Sequence, residues 1–299
     1  MKASKSLYIP VRGLRYHVRS WGPEDAPRLV MLHGWMDTSA SFQFTVDALT
    51  KDWNVLAPDW RGYGDTQWAG TDTYWYQEFL ADLEHILDQL EPERPVNLIA
   101  HSFGATVGMV YAGVRPHRIA RAFSVDGFGA RDLKPESAPD RYAQLLKRIG
   151  EGPRLNDYAT YDEFANRLHR QFPTVPPDRI AFLARQWGRV NAHGRIEVIN
   201  DPAHAKNFGP HNSNRLDDSM ACWRAITAPV FFLIASKGSP VKRTADLSDG
   251  RLEQRLACFR MLETAWIEDT GHMVHLERPA ELAAHVERFF PNTHPTTAI

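Results

Sequence analysis

Short apolar runs alternate with longer, periodically apolar segments through the first 125 residues, and this alternation restricts the fold more than any other property of the chain. Arg28-Leu29-Val30-Met31-Leu32, Trp53-Asn54-Val55-Leu56-Ala57, Val96-Asn97-Leu98-Ile99-Ala100 and Ile119 to Val125 read as buried strands. Ala40 to Thr50, Thr73 to Leu90 and Phe103 to Val114 read as helices between them. In the second of these, Trp75, Tyr76, Phe79, Leu80, Leu83, Ile86, Leu87 and Leu90 fall on one helical face, and the pattern closes before Pro92. A strand followed by a helical crossover is joined to a parallel partner, and strands apolar along their whole length need cover on both faces. The expectation is an α/β fold with a mostly parallel sheet flanked by helices.

Two regions depart from the alternation. Leu7 to Trp21 reads as two strands turning at Arg12-Gly13, a connection too short for a crossover and therefore an antiparallel hairpin. After Gly127, prolines and charged residues separate apparent helices at Asp140 to Ile149, Tyr161 to Arg170 and Pro177 to Trp187, with no convincing strand before Pro229 to Ile234. The pattern then resumes with a strand from Phe259 to Ile267 and a helix from Pro279 to Phe290, ahead of a polar tail. Eight strands result, with a helical cap, residues 128–220, inserted after the sixth; residues 1–127 and 221–299 form the core.

Composition removes several function classes. With 43% hydrophobic residues a large core can be buried, while 35 Lys+Arg against 36 Asp+Glu leave no excess charge to attract nucleic acid or an anionic membrane. The two cysteines, Cys222 and Cys258, form no CxxC pair, so neither a disulfide framework nor a cysteine zinc site is expected. The N-terminal segment has no apolar signal core and no stretch approaches a membrane span, so a cytoplasmic location is expected.

The junction between the strand at Val96 and the helix at Phe103 carries the chemistry, in Ala100-His101-Ser102-Phe103-Gly104. A catalytic serine needs a sharp strand-to-helix turn that lifts its hydroxyl clear of the sheet and aims helix N-terminal N–H groups at a developing oxyanion. Small residues belong two positions to either side; Gly104 meets this, and Ala100 replaces the commoner first glycine. Serine is also an ordinary helix N-cap, the alternative role for Ser102.

Four ordered motifs now resemble the α/β-hydrolase superfamily, in particular its cap-bearing, esterase-like members related to haloalkane dehalogenases and epoxide hydrolases. They are Leu32-His33-Gly34-Trp35, Pro58-Asp59-Trp60-Arg61-Gly62-Tyr63-Gly64, the Ser102 turn, and Asp269-Thr270-Gly271-His272-Met273-Val274-His275-Leu276-Glu277-Arg278-Pro279. The resemblance covers nearly the whole chain and implies an α/β-hydrolase sheet of eight strands. It implies that the backbone N–H groups of Trp35 and Phe103 form an oxyanion hole, and that Asp59 and Arg61 belong to a structural turn. His33 and His101 are expected to make supporting hydrogen bonds, and Met36 and Phe128 to contact substrate.

By position in the resembled family, His272 is the general base. His275 would share a helical face with it, a spacing known from metal ligands, but with no carboxylate or cysteine partner evident in the sequence its expected role is packing or hydrogen bonding. The family's usual acid position follows the strand at Val230, where this chain reads Ser236-Lys237-Gly238-Ser239-Pro240 with no carboxylate. Asp126, ending the strand after the serine-bearing helix, is the preferred acid, as in some haloalkane dehalogenases and lipases; Asp126 can also simply cap the turn before Gly127, and Asp246 and Asp249 are further candidates.

The expected reaction is hydrolysis of a small to medium apolar carboxylic ester, a small-molecule substrate, through an acyl-enzyme and without cofactor or metal. Serine in place of aspartate argues against dehalogenase and epoxide-hydrolase chemistry, which needs a carboxylate nucleophile. A lactonase, a C–C bond hydrolase and a perhydrolase use the same triad, and a ligand receptor with little turnover is open as a different class.

Overall fold

A computed structural model describes residues 1–129, 134–151, 155–204, 215–237 and 251–295. The apolar runs do become strands: β1 (Ser4–Val11), β2 (Leu14–Trp21), β3 (Arg28–Leu32), β4 (Asn54–Pro58), β5 (Val96–His101) and β6 (Ile119–Val125). Alternate residues point to opposite faces. Leu98 and Ala100 join Ala122, Val230, Phe232 and Ile234 in one apolar core, whereas Ile99 joins Phe123, Val125, Phe231, Leu233 and Ala235 in another. Because both sets are apolar, each face must be covered. Helices α1 (Gln43–Ala48), α2 (Tyr76–Leu90) and α3 (Phe103–Val114) begin that cover, α1 on the second core and α2 with α3 on the first. The expected helix over Ala40 to Thr50 is divided, its first turn being a 3-10 helix at Ser39–Phe42.

Between β6 and the next strand of this sheet lie α4 (Ala138–Gly150), α5 (Tyr161–Gln171) and α6 (Pro177–Trp187), close to their expected spans. The insertion also carries strands where the sequence showed none convincing. A small antiparallel sheet of β7 (Asp157–Tyr158), β8 (Gly188–Val190) and β9 (Ile196–Val198) is added to the helices. Strands of two or three residues are too short to show a period of two in the sequence. Helix α7 (Leu216–Arg224) spans the expected boundary at 220 and packs along α3, where a Cβ on Gly113 would come within 1.9 Å of the Cys222 carbonyl oxygen.

The main sheet resumes with β10 (Val230–Ala235) and closes with β11 (Leu262–Ile267); α8 (Arg251–Leu256), α9 (Val274–Glu277) and α10 (Pro279–Phe289) complete the chain. The strand order is β1-β2-β4-β3-β5-β6-β10-β11, antiparallel only where β2 meets β1 and β4. From β3 the chain turns to β4 on one side, and from β5 to β6 on the other. The order therefore reverses between β3 and β5, which opens a crevice at their carboxyl ends.

The insertion is pinned to the loop after β4. Asp201 N–H donates to Gly62 O at 2.8 Å, Gly64 N–H to Asn200 Oδ1 at 3.1 Å, and the Tyr74 hydroxyl to Asp201 Oδ2 at 2.6 Å. The His204 ring lies between Tyr63 and Tyr74, with centroids 3.9 and 4.0 Å away, and its Nε2–H donates to Arg61 O at 2.8 Å. Burial disfavours its charged form and lowers its pKa to about 3. Below the unfolded value near 6.5 the unfolded chain binds the proton that folded His204 refuses, so stability falls as pH drops from 6.5 toward 3. Urea unfolding at pH 7 and pH 5 should therefore show the wild type losing about 2 kcal/mol more than His204→Phe over that interval. Equal losses would mean that His204 titrates normally in the fold.

Candidate active site

β5 runs into α3 at Ser102, whose φ of 52° and ψ of −113° lie outside the regions that L-residues ordinarily adopt. Ser102 makes no side-chain cap bond to α3, so the ordinary N-cap role does not account for it. The turn is held by close backbone approach. A Cβ on Gly104 would meet Leu32 O at 2.5 Å and His33 O at 2.7 Å, and one on Gly127 would meet Ser102 O at 2.9 Å. Neither neighbour is the end of a flexible side chain, so these positions need glycine. Ala100, fully buried, fits where the commoner glycine is replaced.

Three of the sequence-predicted residues come together in one hydrogen-bonded chain. Ser102 Oγ lies 2.8 Å from His272 Nε2, and His272 Nδ1 lies 2.6 Å from Asp126 Oδ2. A carboxylate only accepts, which assigns the Nδ1–H tautomer and leaves Nε2 to accept the serine proton. Asp126 is 1% exposed, and its second oxygen accepts the Ala235 N–H at 3.1 Å. Ala235 ends β10, beside β6 in the sheet. The strand end that lacks a carboxylate thus donates an N–H to the carboxylate on its neighbour. Asp246 and Asp249 lie outside the described residues.

The histidine loop is tied down on every side. Ser236 N–H donates to Ile267 O and Lys237 N–H to Thr270 O, while Ser236 Oγ accepts from Asp269 N–H at 2.8 Å. Gly271 N–H donates to Glu277 Oε2 at 2.7 Å, and His101 Nε2–H to the His272 carbonyl at 2.9 Å. His101 makes the supporting hydrogen bond expected of it, whereas no role is read for Ser236, Lys237 and Glu277 from the sequence, because nothing in their local sequence tells which distant backbone groups they reach.

Phe103 opens α3, where a first-turn N–H has no acceptor inside the helix. Trp35 follows Gly34 in the turn after β3, and a Cβ on Gly34 would lie 3.2 Å from Ser102 Cβ, so this loop passes directly over the serine. The Trp35 and Phe103 rings meet edge to face at 5.7 Å. Trp35, Met36, Ser102, Phe103 and His272 all keep partial exposure among buried neighbours, as the lining of a recess does. Phe128 is more deeply placed, at 8% exposure, with its ring 6.0 Å from Phe232. Of the five described non-glycine residues with positive φ, Met36, Ser102 and Asp126 stand at this site.

Asp59 and Arg61 point away from the chain of Ser102, His272 and Asp126. Asp59 accepts from Ser39 N–H at 2.6 Å and pairs with His17 at 2.7 Å; burial raises its pKa, but His17, His33 and the Ser39 N–H together outweigh this and bring it to about 2. Arg61 bonds Asp82 through two nitrogens and Glu78 through a third, and Tyr16 also donates to Asp82. His33 donates from Nδ1 to Gly34 O and accepts Trp60 N–H at Nε2, which ties the β3 and β4 loops together.

The family model described as alpha/beta hydrolase fold matches residues 27–279. A serine hydrolase-like protein of Danio rerio is 22% identical over 98% of this chain and 90% of its own length, and epoxide hydrolase A of Mycobacterium tuberculosis is 32% identical over 97% and 98%. Among solved structures, a thioesterase domain from the curacin biosynthetic pathway superposes with a TM-score of 0.81 at 20% identity, covering 95% of this chain and 99% of that one. The sheet order, the crevice between β3 and β5 and these matches lead to one assignment: the chain belongs to the α/β hydrolase fold family.

Proposed function

We propose that the protein is a serine hydrolase that cleaves carboxylic esters, with Ser102 as nucleophile, His272 as general base and Asp126 as the orienting acid. The observation that carries this reading is the unbroken contact from Ser102 Oγ through His272 to Asp126, at 2.8 and 2.6 Å, on a backbone turn that strains the serine. Ser102 Oγ attacks the ester carbonyl carbon while His272 Nε2 takes its proton. The oxyanion that forms is held by the N–H groups of Trp35 and Phe103. His272 then protonates the departing alcohol, and the acyl-serine is hydrolysed by a water activated at the same nitrogen.

Asp126 favours the imidazolium that forms at each step. Its own burial is compatible with charge because both oxygens are bonded. Trp35, Met36 and Phe103, partly exposed beside Ser102 and packed on the same apolar cluster as Phe128, suit an apolar acyl or alkyl group of small to medium size. Epoxide hydrolysis, the activity named for one relative, is not carried over, because a serine alkoxide cannot form the alkyl ester that a carboxylate nucleophile makes.

Short p-nitrophenyl esters and a fluorophosphonate probe test the assignment. Wild-type protein should be labelled and turn over, and Ser102→Ala should lose both. Labelling without turnover would instead favour a ligand receptor. Asp126→Asn should fold normally yet lower kcat by ~10⁴-fold, since an amide leaves His272 in the wrong tautomer. Full activity in that variant would remove Asp126 from the mechanism.

A further inference from the structure

Behind the histidine loop, three separate motifs bring a second set of polar side chains together. Asp37 comes from the loop after β3, His101 from the end of β5 and His275 from α9; they are 1%, 2% and 0% exposed. One ligand atom of each lies within 4.8 Å of the other two. Asp37 Oδ2 is 3.6 Å from His275 Nε2 and 4.0 Å from His101 Nδ1, and neither of those nitrogens has a hydrogen-bond partner. Unpaired polar atoms at this depth are costly unless something binds them.

We infer that Asp37, His101 and His275 form a binding site for one divalent transition-metal ion, of which Zn²⁺ and Co²⁺ are representative, and that its occupancy inhibits the hydrolase. Two imidazole nitrogens and one carboxylate are a borderline-soft donor set, suited to these ions and poorly suited to Mg²⁺ or Ca²⁺. His101 and Asp37 carry outer contacts of the kind that fix metal ligands, while both ring nitrogens of His275 are without a hydrogen-bond partner. His101 donates from Nε2 to the His272 carbonyl at 2.9 Å, which turns the lone pair of Nδ1 toward Asp37. Asp37 Oδ1 accepts Thr38 N–H at 2.7 Å, and Oδ2 accepts the Ser41 hydroxyl at 3.0 Å.

Donors around a tetrahedral ion bound at ~2.0–2.1 Å stand roughly 3.4 Å apart, so small side-chain rotations close the observed separations. The other dense cluster of described ligand atoms, His17, Asp59 and Asp65, lacks this character, because His17 and Asp59 already satisfy each other at 2.7 Å.

Inhibition follows from proximity. His101 donates to the His272 carbonyl and the two ring centroids are 4.8 Å apart, so the rotation that brings His101 onto an ion shifts the loop that holds His272 against Ser102. This effect on turnover rests on the proposed base role of His272, whereas the binding itself does not.

Titration of the full chain with Co²⁺, followed by its visible ligand-field absorption and by equilibrium dialysis, separates the two claims. Wild type and Ser102→Ala should each bind one equivalent with the same spectrum, and Asp37→Asn and His275→Leu should bind ~10-fold more weakly or worse. Circular dichroism checks that both variants fold, and Asp37→Asn retains an oxygen for the Thr38 N–H. In parallel, Zn²⁺ should lower kcat for p-nitrophenyl acetate with KM unchanged, and both variants should need at least ~10-fold more Zn²⁺ for the same loss. Unaltered Co²⁺ affinity in both folded variants, or no stoichiometric binding by wild type, would overturn the site. Stoichiometric binding with undiminished turnover would overturn the inhibition alone, and binding by a protein that hydrolyses no ester would uphold the site while sinking the ester-hydrolase reading.

Discussion

The Asp126 carboxylate is the group on which the candidate site turns, because a buried negative charge is tolerable only while its oxygens are occupied. One oxygen faces His272 Nδ1 and the other takes the Ala235 N–H. Two neighbouring strands are thereby committed to one charge. β6 carries the carboxylate and β10 supplies the backbone donor, with Leu233 paired to Val125 in parallel register just before. The Ala235 N–H at the end of β10 reaches the carboxylate carried on β6, and just beyond it Ser236 and Lys237 hold the loop that presents His272.

Close approach at the sheet's reversal point supplies the other half of the geometry. Between β3 and β5 the approach is so near that a Cβ on Gly104 would run into the Leu32 and His33 carbonyl oxygens, and one on Gly34 would lie 2.8 Å from the buried His101 ring. The same crowding sets the N-terminus of α3 and the turn at Trp35 against Ser102, so the backbone of both lies beside its side chain. The strain at Ser102, Met36 and Asp126 is local, and it is borne by strands buried on both faces, which cannot relax without opening the core.

Most of the fold was legible because its signals are long. Eight apolar runs, an 18-residue amphipathic pattern from Thr73 to Leu90 and the glycine-bearing junctions each leave many residues in agreement. The small sheet of β7, β8 and β9 left no such trace, since two or three residues cannot display a period. Ser102 and His272 were legible from their places at strand ends. Asp126 is preferred because it ends the strand after the serine-bearing helix, where some members of the resembled family carry their acid, although Asp-Gly also marks an ordinary turn. Asp37 was not singled out at all: its nearness to His101 and His275 is purely tertiary, and the absence of an adjacent carboxylate in the sequence argued against any metal at His275. Proximity of that kind is made by the convergence of β3, β5 and α9 and has no local signature.

Packing also joins the insertion to the chemistry. Met273 and Leu276, which flank the histidine loop and α9, belong to the same apolar cluster as Phe164, Leu168, Ile180, Leu183 and Trp187 of α5 and α6. Arg179 of α6 donates to the carbonyl of Leu276. The loop bearing His272 is thus gripped from below by β10 and Glu277 and from above by the insertion, while His204 anchors the far end of the insertion to the β4 loop. Close-packed clusters do not deform continuously. Any shift of α5 and α6 must therefore either carry Met273 and Leu276 with it, disturbing the His272 contact to Ser102, or break that cluster, so the packing of the insertion and the alignment of His272 on Ser102 are coupled.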